Sequence, residues 1–139
     1  MNKYNLTFHH LGLAVKKQDR SLQVLQGFGY KIGNTVLDGL QNVNLILCTH
    51  PAAPDIEIVF PANTSGPLES ILKDNPVMFY HQCFETENLK ESIRLINDDG
   101  NSLVTIAKPI PAVLFAGRFV SFYYLDGLGI IEILETDSN

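Results

Sequence analysis

What the chain lacks narrows it first. No apolar run approaches the roughly 20 residues needed to cross a bilayer, so a membrane span is not expected. Basic residues are outnumbered, ten Lys and Arg against fifteen Asp and Glu, for a net charge of −5. No basic cluster exceeds the pair Lys16 and Lys17, and that balance is the wrong sign for a general nucleic-acid binder. Cysteine is scarce: Cys48 and Cys83 stand alone in apolar, strand-like runs, without the CxxC pairs of a structural zinc site. Both read as buried free thiols, which suits a reducing compartment. The opening MNKYNLTFHHLGLAV has no basic segment leading into a long apolar stretch with a small-residue cleavage site, so the cytoplasm is the expected location.

What is present is ordinary globular composition, 45% hydrophobic and 18% charged over 139 residues. That length suits one domain spanning 1–139 and is too short for two independent cores, so any internal duplication is expected to share a core.

A duplication is written into the pattern. The run FHHLGLAV (Phe8 to Val15) reads as a strand, and Asp19 to Gln26 reads as a helix with Leu22, Leu25 and Phe28 on its inner side, stopped by Gly27 and Gly29. Strands are expected over Tyr30 to Leu37, Val43 to Thr49 and Asp55 to Phe60, broken by Asp38-Gly39 and by Pro51 to Pro54. A connector, 62–76, follows: Asn63, Thr64, Ser65 and Gly66 form a loop, and Pro67 opens a short helix that turns Leu68, Ile71 and Leu72 inward. The order then recurs. Met78 to Glu85 is a strand, and a helix from about Leu89 carries Leu89, Ile93 and Ile96 on one face, begun by Asn88 with Glu91 as a capping box and ended by Gly100. Strands at Leu103 to Ala107, Arg118 to Tyr124 and Gly129 to Leu134 complete it, the last two joined by the hairpin signal Asp126-Gly127. The expected fold is α+β, two βαβββ modules over 6–61 and 77–135.

Spacing supports the repeat. Gly29 stands 19 residues after His10, and Gly100 stands 19 after His81. Glu57 follows His10 by 47 residues and Glu132 follows His81 by 51, so each half sets a His in its first strand and a Glu in its last. Side chains alternate along a strand, which puts His10 on one face with Gly12 and Ala14, and His81 with Cys83 and Glu85. Glu57 lies within IEIVF and Glu132 within IIEIL, where a carboxylate must face water or a polar partner. One reading places both carboxylates on solvated sheet faces and both histidines in the core or at its rim. The other brings His10, Glu57, His81 and Glu132 together on one divalent ion. Two imidazoles and two carboxylates suit a six-coordinate ion with two open positions. Repeat-matched placement of all four favours the metal.

With those residues in hand, the chain from Phe8 to Glu135 resembles the vicinal oxygen chelate superfamily of glyoxalases, bleomycin-resistance proteins and dioxygenases. HHLGLAV is similar to its opening strand, with the ligand at His10, and IEIVFP to the strand that ligates through Glu57. YHQCFET looks like the opening strand of the second module, with its ligand at His81, and GIIEILE like the closing strand, with its ligand at Glu132. The resemblance implies a cupped mixed or antiparallel sheet and a divalent cofactor, Co, Mn, Ni, Zn or Fe. The strings EIVFP and GRFVSF look most like the methylmalonyl-CoA epimerases. The implied activity is a metal-dependent isomerase moving a proton beside a thioester or carbonyl, with Glu132 and Glu57 as catalytic bases and an acyl-CoA thioester as substrate.

A glyoxalase I-like lactoylglutathione lyase fits less well, since its glutathione-binding Arg would fall at Ala14 and a nearby Asn at Pro61. The chain also departs from some epimerases: VNLILC (Val43 to Cys48) carries no extra acidic residue. A small-molecule-sequestering resistance protein is disfavoured by four intact ligands. An Fe(II) dioxygenase using His10, His81 and Glu132 is disfavoured by Glu57 as a fourth. Arg118 is either a partner for a substrate carboxylate or phosphate, or a solvent-exposed strand residue. Cys83 either lines the cavity or, more plainly, fills the core. His9 and His50 are assigned no role. Sheets of this size often pair through exposed strand edges, so a homodimer is expected.

Overall fold

The computed structural model of the protein describes residues 1–62 and 66–136. The expected loop residues Asn63, Thr64 and Ser65 lie outside the described residues. Among the described residues the order is β1 (Thr7–Val15), α1 (Gln18–Gly27), β2 (Lys31–Asp38), β3 (Val43–Thr49), β4 (Asp55–Pro61) and α2 (Leu68–Ile71). It continues with β5 (Val77–Thr86), α3 (Leu89–Asp98), β6 (Leu103–Pro111), a 3-10 turn (Val113–Phe115), β7 (Phe119–Leu125) and β8 (Gly129–Glu135). This is the expected α+β fold, a mixed sheet built from a repeated βαβββ order. No helix among the described residues is long and apolar enough to cross a membrane.

By internal contacts the chain forms two units, one of residues 10–80 and one of residues 1–9 with the chain from His81 onward. In the first unit the strands run in the order β2-β3-β4-β1, with β1 and β4 parallel and the other neighbours antiparallel. Leu13 and Val15 of β1, Ile46 and Cys48 of β3, and Ile56, Ile58 and Phe60 of β4 form one buried cluster with Leu25 of α1, and Leu22 packs against it. Because side chains alternate, this leaves His10, Gly12 and Ala14 of β1, and Glu57 and Val59 of β4, for the opposite face. At Gly33 an added Cβ would come within 2.5 Å of the Leu47 carbonyl oxygen, so only glycine admits that close approach of β2 to β3.

The second unit repeats the plan in the order β5-β8-β7-β6, with β5 and β8 parallel. Ile131 and Ile133 of β8, Tyr123 of β7 and Ile96 of α3 form its buried cluster, joined by Leu89 and Ile93. Each buried isoleucine contributes roughly 2 kcal/mol of transfer free energy. Asn88 caps α3 by accepting the Glu91 amide at 3.1 Å, but the reciprocal half of the expected capping box does not form: the Asn88 amide donates to Thr86 Oγ1 and the Glu91 carboxylate pairs with Arg94.

Three expectations need correction. Phe28 does not turn inward: α1 ends at Gly27, Gly29 adopts φ +94° to redirect the chain, and Phe28 is 71% exposed. Ile71 is only half-buried, whereas Leu68 and Leu72 are buried as expected. Strand β6 does not stop at Ala107 but continues through Pro109 to Pro111, with register shifts on either side of Ala107. It lies at the end of the strand order, where a proline without an N–H leaves no ladder partner unsatisfied.

Candidate metal centre

In the first unit the parallel pairing of β1 with β4 sets Gly12 opposite Glu57, two residues beyond His10. Ile56 and Ile58 face the cluster under α1, so the carboxylate of Glu57 emerges on the other face, beside His10. His10 Nε2 and Glu57 Oε2 stand 3.8 Å apart. His10 is fully buried and Glu57 is 4% exposed.

The second unit holds the same arrangement. The parallel pairing of β5 with β8 sets Cys83 opposite Glu132, again two residues beyond the histidine. His81 Nε2 and Glu132 Oε1 stand 3.2 Å apart, with both residues buried. Phe122, across the hairpin from Glu132, meets the His81 ring edge-on at a centroid distance of 5.5 Å. Thus the solvated-face reading of Glu57 and Glu132 fails: each carboxylate is buried beside an imidazole.

These pairs fit a cation. Two donors bound to one ion by bonds of about 2.1 Å stand about 3 Å apart at a right angle and about 4.2 Å apart in line, a range that holds both observed separations. At 3.8 Å the His10–Glu57 pair is too long for a hydrogen bond. Imidazole nitrogen with carboxylate oxygen is also the donor chemistry that first-row divalent ions accept.

The weaker candidates are placed differently. Cys83 is fully buried and packs with Ala112, Val120 and Leu134. Arg118 is half-buried rather than solvent-exposed: its Nη2 meets Glu85 Oε2 at 2.5 Å and its Nε donates to the Glu135 carbonyl at 2.8 Å. Both bonds draw the guanidinium onto the protein itself. His50 has a structural task, with Nε2 3.1 Å from the Phe28 carbonyl and Nδ1 accepting the Ala52 amide at 2.9 Å, while His9 packs edge-on against Phe115. Glu85 as the partner of Arg118, and Phe122 as the wall beside His81, were not anticipated. Phe122 was within reach, because a hairpin centred on Gly127 pairs position 122 with 132.

The sequence pattern of the Glyoxalase/Bleomycin resistance protein/Dioxygenase superfamily matches residues 9–122, and the chain belongs to that superfamily. A search among curated proteins finds no match. Among solved structures, the methylmalonyl-CoA epimerase of Mycobacterium tuberculosis is similar with a TM-score of 0.78 and 17% identity, over 99% of this chain and 93% of that one. A hypothetical protein from Bacillus halodurans C-125 follows at 0.77 and 19%, over 96% of each chain. A variant of the Streptomyces coelicolor methylmalonyl-CoA epimerase, solved with 2-nitronate-propionyl-CoA, reaches 0.69 and 17%, over 96% and 99%. At these identities the likeness is one of fold.

Proposed function

We propose that the protein is a metal-dependent isomerase of the epimerase type, in which His10, Glu57, His81 and Glu132 together hold one divalent ion of the Co, Mn, Ni, Zn or Fe class. The two modules, 6–61 and 77–135, act as a single domain. One observation carries the reading: each module sets a buried His–Glu pair on its parallel strands in the same register. A lone buried pair has a structural explanation in any protein, whereas two in matched register favour a shared task.

The ion, when bound, supplies Lewis-acid stabilisation for negative charge that develops on a substrate carbonyl oxygen. The remaining work falls to the side chains. Glu132 takes the proton from the carbon beside the carbonyl, and Glu57, from the other module, serves the opposite face. Inversion at carbon needs a proton acceptor on each side, and a pair of carboxylates of separate origin meets that need. Phe122 packs against the His81 ring, fixing its plane and shielding the pair from water. The substrate class is an acyl-CoA thioester, supported by the fold shared with epimerases solved with such esters. Two copies pair as a homodimer, which sedimentation equilibrium at micromolar concentration checks.

The test is deuterium incorporation from solvent into a panel of 2-methylacyl-CoA thioesters and hemithioacetals, with and without chelator. Chelator-sensitive exchange into a thioester is expected. Exchange into hemithioacetals alone moves the lyase reading ahead, and none in any member leaves a sequestering protein.

A further inference from the structure

One face of the second unit is sealed at one end and open at the other. Tyr123, Ile131 and Ile133 face the cluster under α3, so Phe122, Glu132 and their even-numbered neighbours on β7 and β8 take the opposite face. On one side of Glu132 that face is closed: Val120 and Leu134, paired across the hairpin, are fully buried and pack with Cys83 and Ala112. On the other side Tyr124 pairs with Ile130 of β8 and with Val104 of β6. Tyr124 is 49% and Val104 58% exposed, while Phe122 and Ile130 are half-buried. A group that reaches Glu132 along this face therefore comes over Tyr124, Val104 and Ile130.

Two aromatic rings and two β-branched side chains make this open end an apolar platform, continuous with the carboxylate through Phe122, which stands opposite Glu132. Single apolar side chains are common on any surface, but registered neighbours at the approach to a buried His–Glu pair form a patch with a location. Among the described residues, the strand partners of Glu132, Phe122 and Tyr124 on this face carry no charge apart from Glu132 itself. Arg118, just before β7, is committed to Glu85 and to the Glu135 carbonyl. Lys108 is exposed in the irregular stretch of β6 that follows Ala107. A carboxylate carried over the platform would shed water against hydrocarbon, near a second carboxylate, with no cation in register to meet it. A hydrocarbon group gains from the same surface.

We propose that the platform of Val104, Phe122, Tyr124 and Ile130 receives a hydrocarbon substituent, an aryl or branched alkyl group on the carbon that loses its proton. The substrate is then a 2-methylacyl thioester whose remaining substituent is apolar, not one that bears a second carboxylate. The proposal rests on the isomerase reading above and narrows its thioester to one class. Aromatic rings suit the task, since they offer broad, stiff contact area to a flat or branched group.

The experiment titrates the metal-loaded full chain by calorimetry with 2-phenylpropionyl-CoA and with methylmalonyl-CoA. The two esters share the CoA part and the methyl group, so the ratio of their dissociation constants reads the remaining substituent. The phenyl ester should bind at least about tenfold more tightly. Tyr124→Lys and Val104→Lys should each cut that ratio at least about fivefold, and Tyr124→Phe should preserve it, because the ring and not the hydroxyl makes the contact. Both side chains are exposed, so the variants keep the fold, which circular dichroism verifies. Methylmalonyl-CoA binding as tightly as the phenyl ester, a ratio indifferent to both lysine substitutions, or no binding of either ester overturns the proposal. Loss of self-association in the lysine variants at an unchanged ratio also overturns it, and gives the platform to a second copy of the chain. If the phenyl ester binds in this pattern but no thioester exchanges a proton, the isomerase reading fails and the platform stands.

Discussion

His81 Nε2 and Glu132 Oε1 stand 3.2 Å apart, both buried, because β5 and β8 run parallel with Cys83 opposite Glu132. The same offset recurs in the other module, where Gly12 lies opposite Glu57, two residues beyond His10. A buried carboxylate is costly unless something of opposite sign or a strong donor meets it. Chemistry, metal affinity and stability should therefore respond at these positions in separable ways.

Glu132→Gln should lower kcat for thioester proton exchange by at least about 100-fold while moving KM little. The amide fills the same space but cannot take a proton at neutral pH. Glu57→Gln should be milder. Steady-state exchange kinetics on both variants check this, and an equal loss in KM alone for Glu132→Gln would assign that residue to binding rather than to the proton.

Asn88→Ala should destabilise the protein by about 1 kcal/mol, since it removes the side-chain acceptor for the Glu91 amide at the start of α3. Urea unfolding should show the midpoint falling at unchanged slope. A change in slope instead would mean that the residue alters the unfolded ensemble.

Burial pushes the Cys48 thiol from its ordinary 9.0 up to about 11. Between those values the unfolded thiol has released its proton and the folded one has kept it. The stability from this group is full below pH 9 and is lost as pH rises toward 11, by up to about 2 kcal/mol. Urea titrations across that window should show the decline, and Cys48→Ala should flatten it while costing packing in the cluster under α1.

The elements and the repeat were legible in the sequence because periodicity, caps and turns are local signals. His10, Glu57, His81 and Glu132 stood out because charged and imidazole groups in apolar strands are conspicuous at matched offsets. The parallel pairing of β1 with β4 was not legible, since one strand's pattern does not name its neighbour. Nor was the length of β6, because Pro109 and Pro111 read as breakers unless the strand is known to lie at the end of the order. Phe28 misled for a third reason: it continues the apolar helical spacing, but the chain leaves the helix at Gly27. The ion pair of Arg118 with Glu85 joins a residue just before β7 to one on β5, 33 positions apart in sequence, which no local signal reports.

Metal content bears most directly on the proposed centre. Elemental analysis of the purified protein and of His81→Ala, each dialysed against a weak chelator, should find about one divalent ion per chain in the first and almost none in the second. Circular dichroism of the two proteins should match. A His81→Ala protein that keeps its ion as tightly as the unaltered chain would remove His81 from the centre, and with it the matched-pair argument on which the assignment stands.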